Sequence, residues 1–116
     1  MSRRFRDAMR LMRKHDPQLA EDGFWALAPV AGEHVAELME EFAVEKDRGL
    51  RCWLLELVEK AKSPDAFEFL AAQLRSGDDR LEFWAVEGLR LLDTKPARRM
   101  LWEWGQRPPA NEAGKP

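Results

Sequence analysis

Two related stretches decide the fold: DRGLRCWL at Asp47–Leu54 and DDRLEFWA at Asp78–Ala85. We call the distance along the chain from Asp47 to Asp78 the repeat interval; Asp, Leu and Trp recur at the same places in both stretches. Leu70 and Leu101 extend the match downstream at the same interval. The apolar residues follow the three- and four-residue spacing of an amphipathic helix rather than the alternation of a strand. A period of about 30 residues made of helices predicts stacked helical units.

Helix start and stop signals divide the rest of the chain into seven short helices. Asp, Ser or Thr precedes most predicted starts, often with proline next, which is the usual N-cap pattern. Asp79 and Glu82 form an Asp-x-x-Glu capping box for the sixth helix. The predicted helices cover residues 2–14, 17–28, 33–46, 48–62, 64–75, 79–93 and 95–105, with N-caps at Asp16, Asp47, Ser63, Asp79 and Thr94.

The sequence predicts a single all-α domain built as a right-handed α-α solenoid of about three helix pairs. The 116 residues have the length of one domain. The earliest copy is the weakest. Trp25 takes the place of Trp53 and Leu38 that of Leu70, but Trp25 and Leu38 are closer together in sequence than Trp53 and Leu70. A tail that contains two consecutive prolines is predicted to be disordered. The predicted boundaries are 1–106 for the domain, 1–15 for a basic N-terminal capping helix, 16–46, 47–77 and 78–105 for the helix pairs, and 107–116 for the tail.

The repeated stretches resemble a known family. Asp-x-x-Leu-Arg-x-x-Leu at 47–54 and the related copy at 79–89 resemble HEAT repeats of the armadillo type. The similarity is greatest to the short bacterial repeats first noted in phycobilisome-lyase-like proteins. The family arginine is present as Arg51, and Glu82 replaces it in the later copy. The resemblance covers residues 16–105 and implies a non-catalytic scaffold that binds a protein partner. Lyase activity is not implied, because the lyases that carry these repeats are much longer.

The residue list argues against an enzyme. The chain has no Tyr, one Thr, three Ser and two His, and helix caps and turns account for nearly all the hydroxyls. A catalytic nucleophile needs an adjacent base, and glycine-rich phosphate loops and zinc-binding motifs do not occur in the sequence. No catalytic residue, cofactor or metal is predicted. One helix start contains the carboxylates of Asp78, Asp79 and Glu82. We interpret them as residues that stabilise the helix start in preference to catalytic carboxylates.

The composition also bears on the compartment. The longest apolar run, residues 24–31, is far shorter than the roughly 20 residues that span a bilayer. No apolar stretch of the signal-peptide kind follows the basic N-terminus. With Cys52 as the single cysteine, no internal disulfide is available. A reducing, cytoplasmic location without a transmembrane segment is therefore expected.

The predicted binding surface is acidic. The second helix of each pair, at 33–45, 64–75 and 96–104, is expected to line a concave face, where solenoids usually bind. Four glutamates cluster on the first of these helices and form either a solvated face or a docking stripe for a basic partner. Phe69 and Trp102 lie outside the main apolar faces of their helices. Trp102 is either a binding hot spot or is covered by the tail. The predicted partner-binding residues are Glu33, Glu37, Glu40, Glu41, Phe69 and Trp102.

The predicted function is therefore a protein–protein interaction module. A small adaptor, or an inhibitor or immunity-type protein that blocks a basic enzyme, fits the size and acidity. A partner of basic or mixed charge is expected. Because an exposed end of the stack could pack against a second copy, a dimer is an open alternative.

The basic N-terminal helix supports an alternative. Residues 1–15 carry a net charge of +5, whereas residues 16–60 carry −7. The helix is either the polar cap of the stack or a contact for anionic membrane or nucleic-acid phosphate. Nucleic acid is the less favoured partner, because the predicted groove is partly acidic. The candidate phosphate contacts are Arg3, Arg6, Arg10, Arg13, Lys14, Arg98 and Arg99.

Some apolar residues lie off the main apolar face of the two repeated helices, again separated by the repeat interval. They are Cys52 and Leu55 in one copy and Phe83 and Val86 in the other. In a stack of helix pairs each first helix contacts neighbours on two sides. These residues are accordingly predicted to be buried as a second core face.

Overall fold

A computed structural model of the chain describes residues 2–106, and this part is all-helical, without a strand. Its seven α-helices lie close to the predicted positions. The disorder predicted for residues 107–116 lies outside the described residues. The helices are α1 (Arg3–Met12), α2 (Pro17–Leu27), α3 (Val35–Val44), α4 (Arg48–Ala61), α5 (Phe67–Gln73), α6 (Asp79–Leu92) and α7 (Lys95–Gly105), with short 3-10 helices at Ala28–Glu33 and Pro64–Ala66.

Side-chain caps fix the helix starts at a constant spacing. Asp16, Asp47 and Asp78 are the N-caps of α2, α4 and α6, and each carboxylate accepts from backbone N–H groups of the first turn. Consecutive caps are separated by the repeat interval. Ser63 and Thr94, which are the same distance apart, cap the 3-10 helix before α5 and the start of α7. The helix starts thus repeat with the period found in the sequence.

The N-cap of α6 is Asp78, and the prediction of Asp79 for this role is wrong. Asp78 has an extended backbone, and its carboxylate accepts from the N–H groups of Arg80 and Leu81. Asp79 is the first helical residue, where its charge still complements the positive end of the helix dipole.

The first copy of the repeat has a different register from the one predicted. When Asp16 is aligned on Asp47 by their capping roles, Asp22 occupies the position of Trp53. Trp25 therefore lies three residues beyond that position. It is 55% exposed.

The ends of α4 and α6 also match. Lys62 and Asp93 follow them in the left-handed backbone region, with φ of 51° and 48°. Their backbone N–H groups donate to the carbonyls of Glu59 and Leu89 and close the last turn. Residues other than glycine rarely adopt this backbone conformation. The same unusual turn therefore occurs at two positions that are separated by the repeat interval.

The helices pack around α4 and α6. α1 packs against α2, α3 against α4, and both α5 and α7 against α6. α4 and α6 also pack against each other, and the 3-10 helix Ala28–Glu33 packs against α4. The described part measures 49 × 32 × 21 Å and is therefore elongated.

A single apolar core runs through these helices. Helical spacing puts Phe5, Ala8, Met9 and Met12 on one face of α1 and Val35, Leu38, Met39 and Phe42 on one face of α3. All of them are buried except Met39, which is half-buried. Arg51 lies beside this core with its guanidinium carbon 4.1 Å from the centroid of the Phe42 ring, a cation–π contact between α4 and α3. The largest fully buried side chains are Phe5, Leu27, Leu38, Leu54, Leu55, Leu57, Val58, Leu70, Leu74 and Leu89.

Asp78 links the starts of α4 and α6, and its ion pair makes the stability of the fold depend on pH in the acid range. Arg48 donates to it through Nε at 2.7 Å and Nη2 at 3.0 Å. The hydrogen bond from Arg48 holds the pKa of Asp78 well below its ordinary value, and the backbone N–H groups of Leu81 and Arg80 lower it further. The stabilisation is present above the ordinary carboxyl pKa of about 3.9 and is lost as the pH falls below it.

We expect Asp78→Asn to lower the melting temperature at pH 7 and to flatten its fall between pH 5 and pH 2. Asparagine keeps the capping oxygen but loses the ion pair with Arg48. Thermal unfolding followed by circular dichroism measures both effects. Arg48→Gln should flatten the fall in the same way. A full acid dependence in both variants would assign it to other carboxylates.

Candidate functional site

The acidic surface, defined as Glu33, Glu37, Glu40 and Glu41, is partly neutralised by neighbouring side chains. Glu37 Oε1 lies 2.7 Å from His34 Nδ1. Glu41 accepts from Arg13 Nη2 at 2.7 Å, and Glu45 accepts from the same nitrogen at 3.3 Å. Glu33 and Glu40 remain exposed. The basic N-terminal helix thus contacts the acidic helix of its own chain.

The two predicted aromatic contacts have different surroundings. Phe69 is half-buried and meets the Phe42 ring edge-on, with centroids 5.0 Å apart, so it packs between α5 and α3. Trp102 is 67% exposed on α7. Glu37, Glu40 and Glu41 lie on α3, which packs against α4, whereas Trp102 lies on α7, which packs against α6.

Most of the candidate phosphate contacts are engaged with carboxylates. Five of the seven basic residues make ion pairs, so an incoming phosphate would compete with a carboxylate at each of them. Arg6 and Lys14 are exposed. The pairs are Arg3–Asp7 at 3.9 Å, Arg10–Asp7 at 3.1 Å, Arg13–Glu41 at 2.7 Å, Arg98–Asp93 at 3.0 Å and Arg99–Glu103 at 3.1 Å.

A groove lies between α4 and α6 and was not among the sites predicted from the sequence. It has a volume of about 610 Å³. Phe83 is 56% exposed there, so the prediction that it is buried is wrong, whereas Cys52 is buried at 5% exposure. We call this the α4/α6 groove; its lining is Met12, Asp47, Gly49, Leu50, Cys52, Trp53, Glu56, Asp79, Arg80, Phe83 and Trp84.

The walls of the α4/α6 groove come from equivalent positions of the two helices. Each wall is a stripe at helical spacing, so the side chains of one helix line up along its axis. Three lining residues of each helix are related by the repeat interval. The lining pairs are Gly49 and Arg80, Cys52 and Phe83, and Trp53 and Trp84.

The groove aromatics are held by neighbouring rings. Trp53 lies 5.2 Å from the ring of Phe24 on α2, and Phe83 meets Trp84 edge-on at 5.0 Å. Trp53 and Trp84 are both half-buried. The Trp53 and Phe24 rings are tilted by 46°, and the edge-on contact of Phe83 with Trp84 is one of the favourable arrangements of an aromatic pair.

The charged lining of the groove is mainly acidic. Asp47 and Asp79 are exposed at the N-terminal ends of α4 and α6, and Glu56 lies further along. Burial raises the pKa of Glu56, although the nearby Lys60 opposes the shift. Arg80 is the single basic side chain in the lining. The groove therefore favours an apolar segment that is flanked by positive charge.

Cys52 lines the groove and is buried there. Burial raises the pKa of the thiol, whereas a reactive cysteine needs a lowered pKa. In residues 2–106 no group of three or more His, Cys, Asp or Glu side chains is arranged to hold a metal ion. None of the helices in that range has the length and apolarity that a membrane crossing requires.

A second cavity, of about 460 Å³, lies near the C-terminal ends of α2 and α4. The exposed side chains of Trp25 and Leu91 form part of it, and Glu59 lines it although that residue is only 8% exposed. We call it the Glu59 cavity; the rest of its lining is Ala28, Pro29, Lys60 and Lys62.

Comparison of the chain with protein-family models, with curated proteins and with solved structures gives no match.

Proposed function

We propose that this chain is a non-catalytic protein-interaction module built from HEAT-like helix pairs. The N-caps at Asp16, Asp47 and Asp78, which follow one another at the repeat interval, support a repeated unit. The left-handed turns at Lys62 and Asp93, with the same spacing, support it further. In repeat proteins of this kind the stacked units provide a rigid surface for a partner.

The observation that carries the proposal is the aromatic lining of the α4/α6 groove. Phe83 is more than half exposed, with Trp53 and Trp84 part-exposed beside it. Large aromatic residues that remain open to solvent in a concavity are the usual anchors of protein interfaces. The groove is therefore a stronger candidate than the acidic surface, where the carboxylates of Glu37 and Glu41 already have partners.

The chemistry of the groove specifies one class of partner. Its apolar floor fits the apolar face of an amphipathic helix, and helices commonly bind grooves through residues at positions i, i+3, i+4 and i+7. The acidic side chains Asp47 and Asp79, exposed at the N-terminal ends of α4 and α6, favour lysine or arginine at the flank of that helix. We propose such a basic, amphipathic helical segment as the ligand.

Selection from a phage-displayed library of random 16-residue peptides, with the full chain as bait, tests this function. We expect enriched peptides to carry apolar residues at helical spacing with flanking lysine or arginine. Phe83→Ala should weaken their binding at least about tenfold, because it removes an interface anchor. Since Phe83 is largely exposed, this variant should keep its helicity by circular dichroism.

Two further variants locate the binding surface. Val44→Ala, at a 73% exposed position on α3, should bind the enriched peptides like the wild type. Trp102→Ala should also leave binding unchanged. Binding that persists in Phe83→Ala but is lost in Trp102→Ala would place the partner on α7 and contradict the groove. Failure to enrich any peptide above bare matrix would count against the proposal as well.

A further inference from the structure

The Glu59 cavity holds a carboxyl group whose hydrogen-bonding capacity is not met by the protein. Glu59 is more than nine-tenths buried, and within residues 2–106 its Oε2 atom has no hydrogen-bond partner. A buried acceptor without a donor costs free energy in the folded state. Glutamate nevertheless occupies this position on α4 and lines a cavity.

The other walls of the Glu59 cavity suit a group with both carbon and positive charge. Trp25 on α2 is 55% exposed and Leu91 on α6 is 38% exposed, so two apolar side chains are open to solvent. The Lys60 ammonium already lies 5.9 Å from the centroid of the Trp25 ring. The face of an indole ring attracts cations, so Trp25 adds to the attraction of this cavity for positive charge.

The charges near Glu59 leave room for a cation. Glu56 on α4 and Glu87 on α6 are the nearby carboxylates, and Lys60 and Lys62 are the nearby ammonium groups. Lys60 lies 3.8 Å from Glu56, with which it forms an ion pair. Lys62 is exposed at the left-handed turn that ends α4. Lys60 is thus paired with Glu56, and Arg90 is paired with Glu87, so among residues 2–106 Glu59 is the one carboxylate of the three that makes no ion pair.

We propose that the Glu59 cavity binds a cationic nitrogen, as an alkylammonium or guanidinium group. Its N–H donates to the Glu59 carboxylate, and its hydrocarbon part lies between Trp25 and Leu91. A free amine and a lysine or arginine side chain of another protein supply the same chemistry. The site is separate from the α4/α6 groove and does not depend on the function proposed for it.

Binding at this site should depend on pH. Burial raises the pKa of Glu59, and Glu56 and Glu87 raise it further, against the opposing effects of Lys60 and Lys62. A cation binds the ionised carboxylate and not the neutral acid. Affinity should therefore fall as the pH is lowered through a value above the ordinary glutamate pKa of about 4.3.

Titration of the full chain with n-butylammonium chloride, followed by the indole N–H signal of Trp25 in 1H–15N spectra, tests the proposal. Trp25→Phe assigns the signal. We expect a saturable shift with n-butylammonium and no saturable shift with 1-butanol. Glu59→Gln, which keeps the side-chain size, should weaken binding at least tenfold and raise the melting temperature at pH 7. Glu40→Gln, which removes the same charge at an exposed site on α3, should bind like the wild type.

The outcomes separate the alternatives. Equal shifts in wild type and Glu59→Gln, or equal shifts with 1-butanol, would overturn the proposal in favour of simple apolar contact. A preference for n-butyrate would assign the cavity to an anion held by Lys60 and Lys62 and would also overturn it. If an arginine within a longer peptide binds tenfold more tightly than N-acetyl-arginine amide, the ligand source is a protein side chain. If n-butylammonium binds as tightly as the arginine peptide, a free amine is sufficient.

Discussion

Gly23→Ala is expected to lower the free energy of unfolding by about 1–3 kcal/mol, the usual range for a core that must accept an extra methyl group. A Cβ at Gly23 would lie 2.5 Å from the carbonyl oxygen of Ala8 and 2.9 Å from side-chain atoms of Leu11 and Met12. The closest atom belongs to the backbone of α1, so the contact cannot be relieved by rotating a side chain. The whole of α1, including the fully buried Phe5, would have to move away from α2.

Urea unfolding of the full chain measures this loss, and Gly88→Ala is the matched control. At Gly88 the atoms nearest to a Cβ would be the two methyl carbons of Leu70, at 2.9 and 3.1 Å. That side chain can shift, and alanine gains about 1 kcal/mol of helix propensity over glycine. Gly88→Ala is therefore expected to stay within about 1 kcal/mol of the wild type. Equal stability of both variants would show that α1 and α2 are not held as closely as their backbones indicate.

Leu57→Ala should be the most destabilising truncation, with a loss of about 2–5 kcal/mol. Leu57 is fully buried on α4, and α4 packs against α3, α6 and the 3-10 helix Ala28–Glu33. Removing its side chain leaves a cavity where several helices meet, and a cavity at such a junction cannot close without moving more than one of them.

Leu91→Ala is the control for Leu57→Ala, because it deletes the same atoms at a position that is 38% exposed. We expect it to cost about 1 kcal/mol, in proportion to the smaller apolar area that it loses. Chemical denaturation at pH 7 compares the two variants. If both lose the same amount, α4 does not have the central place in the core that its contacts give it.

Local signals predicted the helices well because capping involves residues close in sequence. Asp16, Asp47, Ser63 and Thr94 each accept from an N–H two or three residues ahead, so composition and position suffice to locate them. The error at Asp79 arose where two aspartates are adjacent. The extended backbone of Asp78 and its contact with the distant Arg48 at the start of α4 identify the cap.

The candidate sites were harder to predict because burial depends on distant segments. Helical spacing placed Phe83 off the main apolar face but could not distinguish a second core face from an open groove. The only available signal was the recurrence of an aromatic residue at Trp53 and Trp84, separated by the repeat interval. Likewise, Glu59 looks like a solvated residue until Trp25 and Leu91, from helices on either side in sequence, are brought beside it.

Cys52, the single cysteine of the chain, lines the α4/α6 groove, and the rate of its chemical labelling reports on the opening of the groove. Cys52 is 5% exposed, so a thiol reagent must wait for thermal fluctuations that part the two helices. The rate at which such a reagent labels the chain then measures how often the groove opens, at one known atom and without engineering a probe. A ligand seated over Trp53 and Phe83 would slow that chemistry, which makes the kinetics of labelling an independent footprint of occupancy.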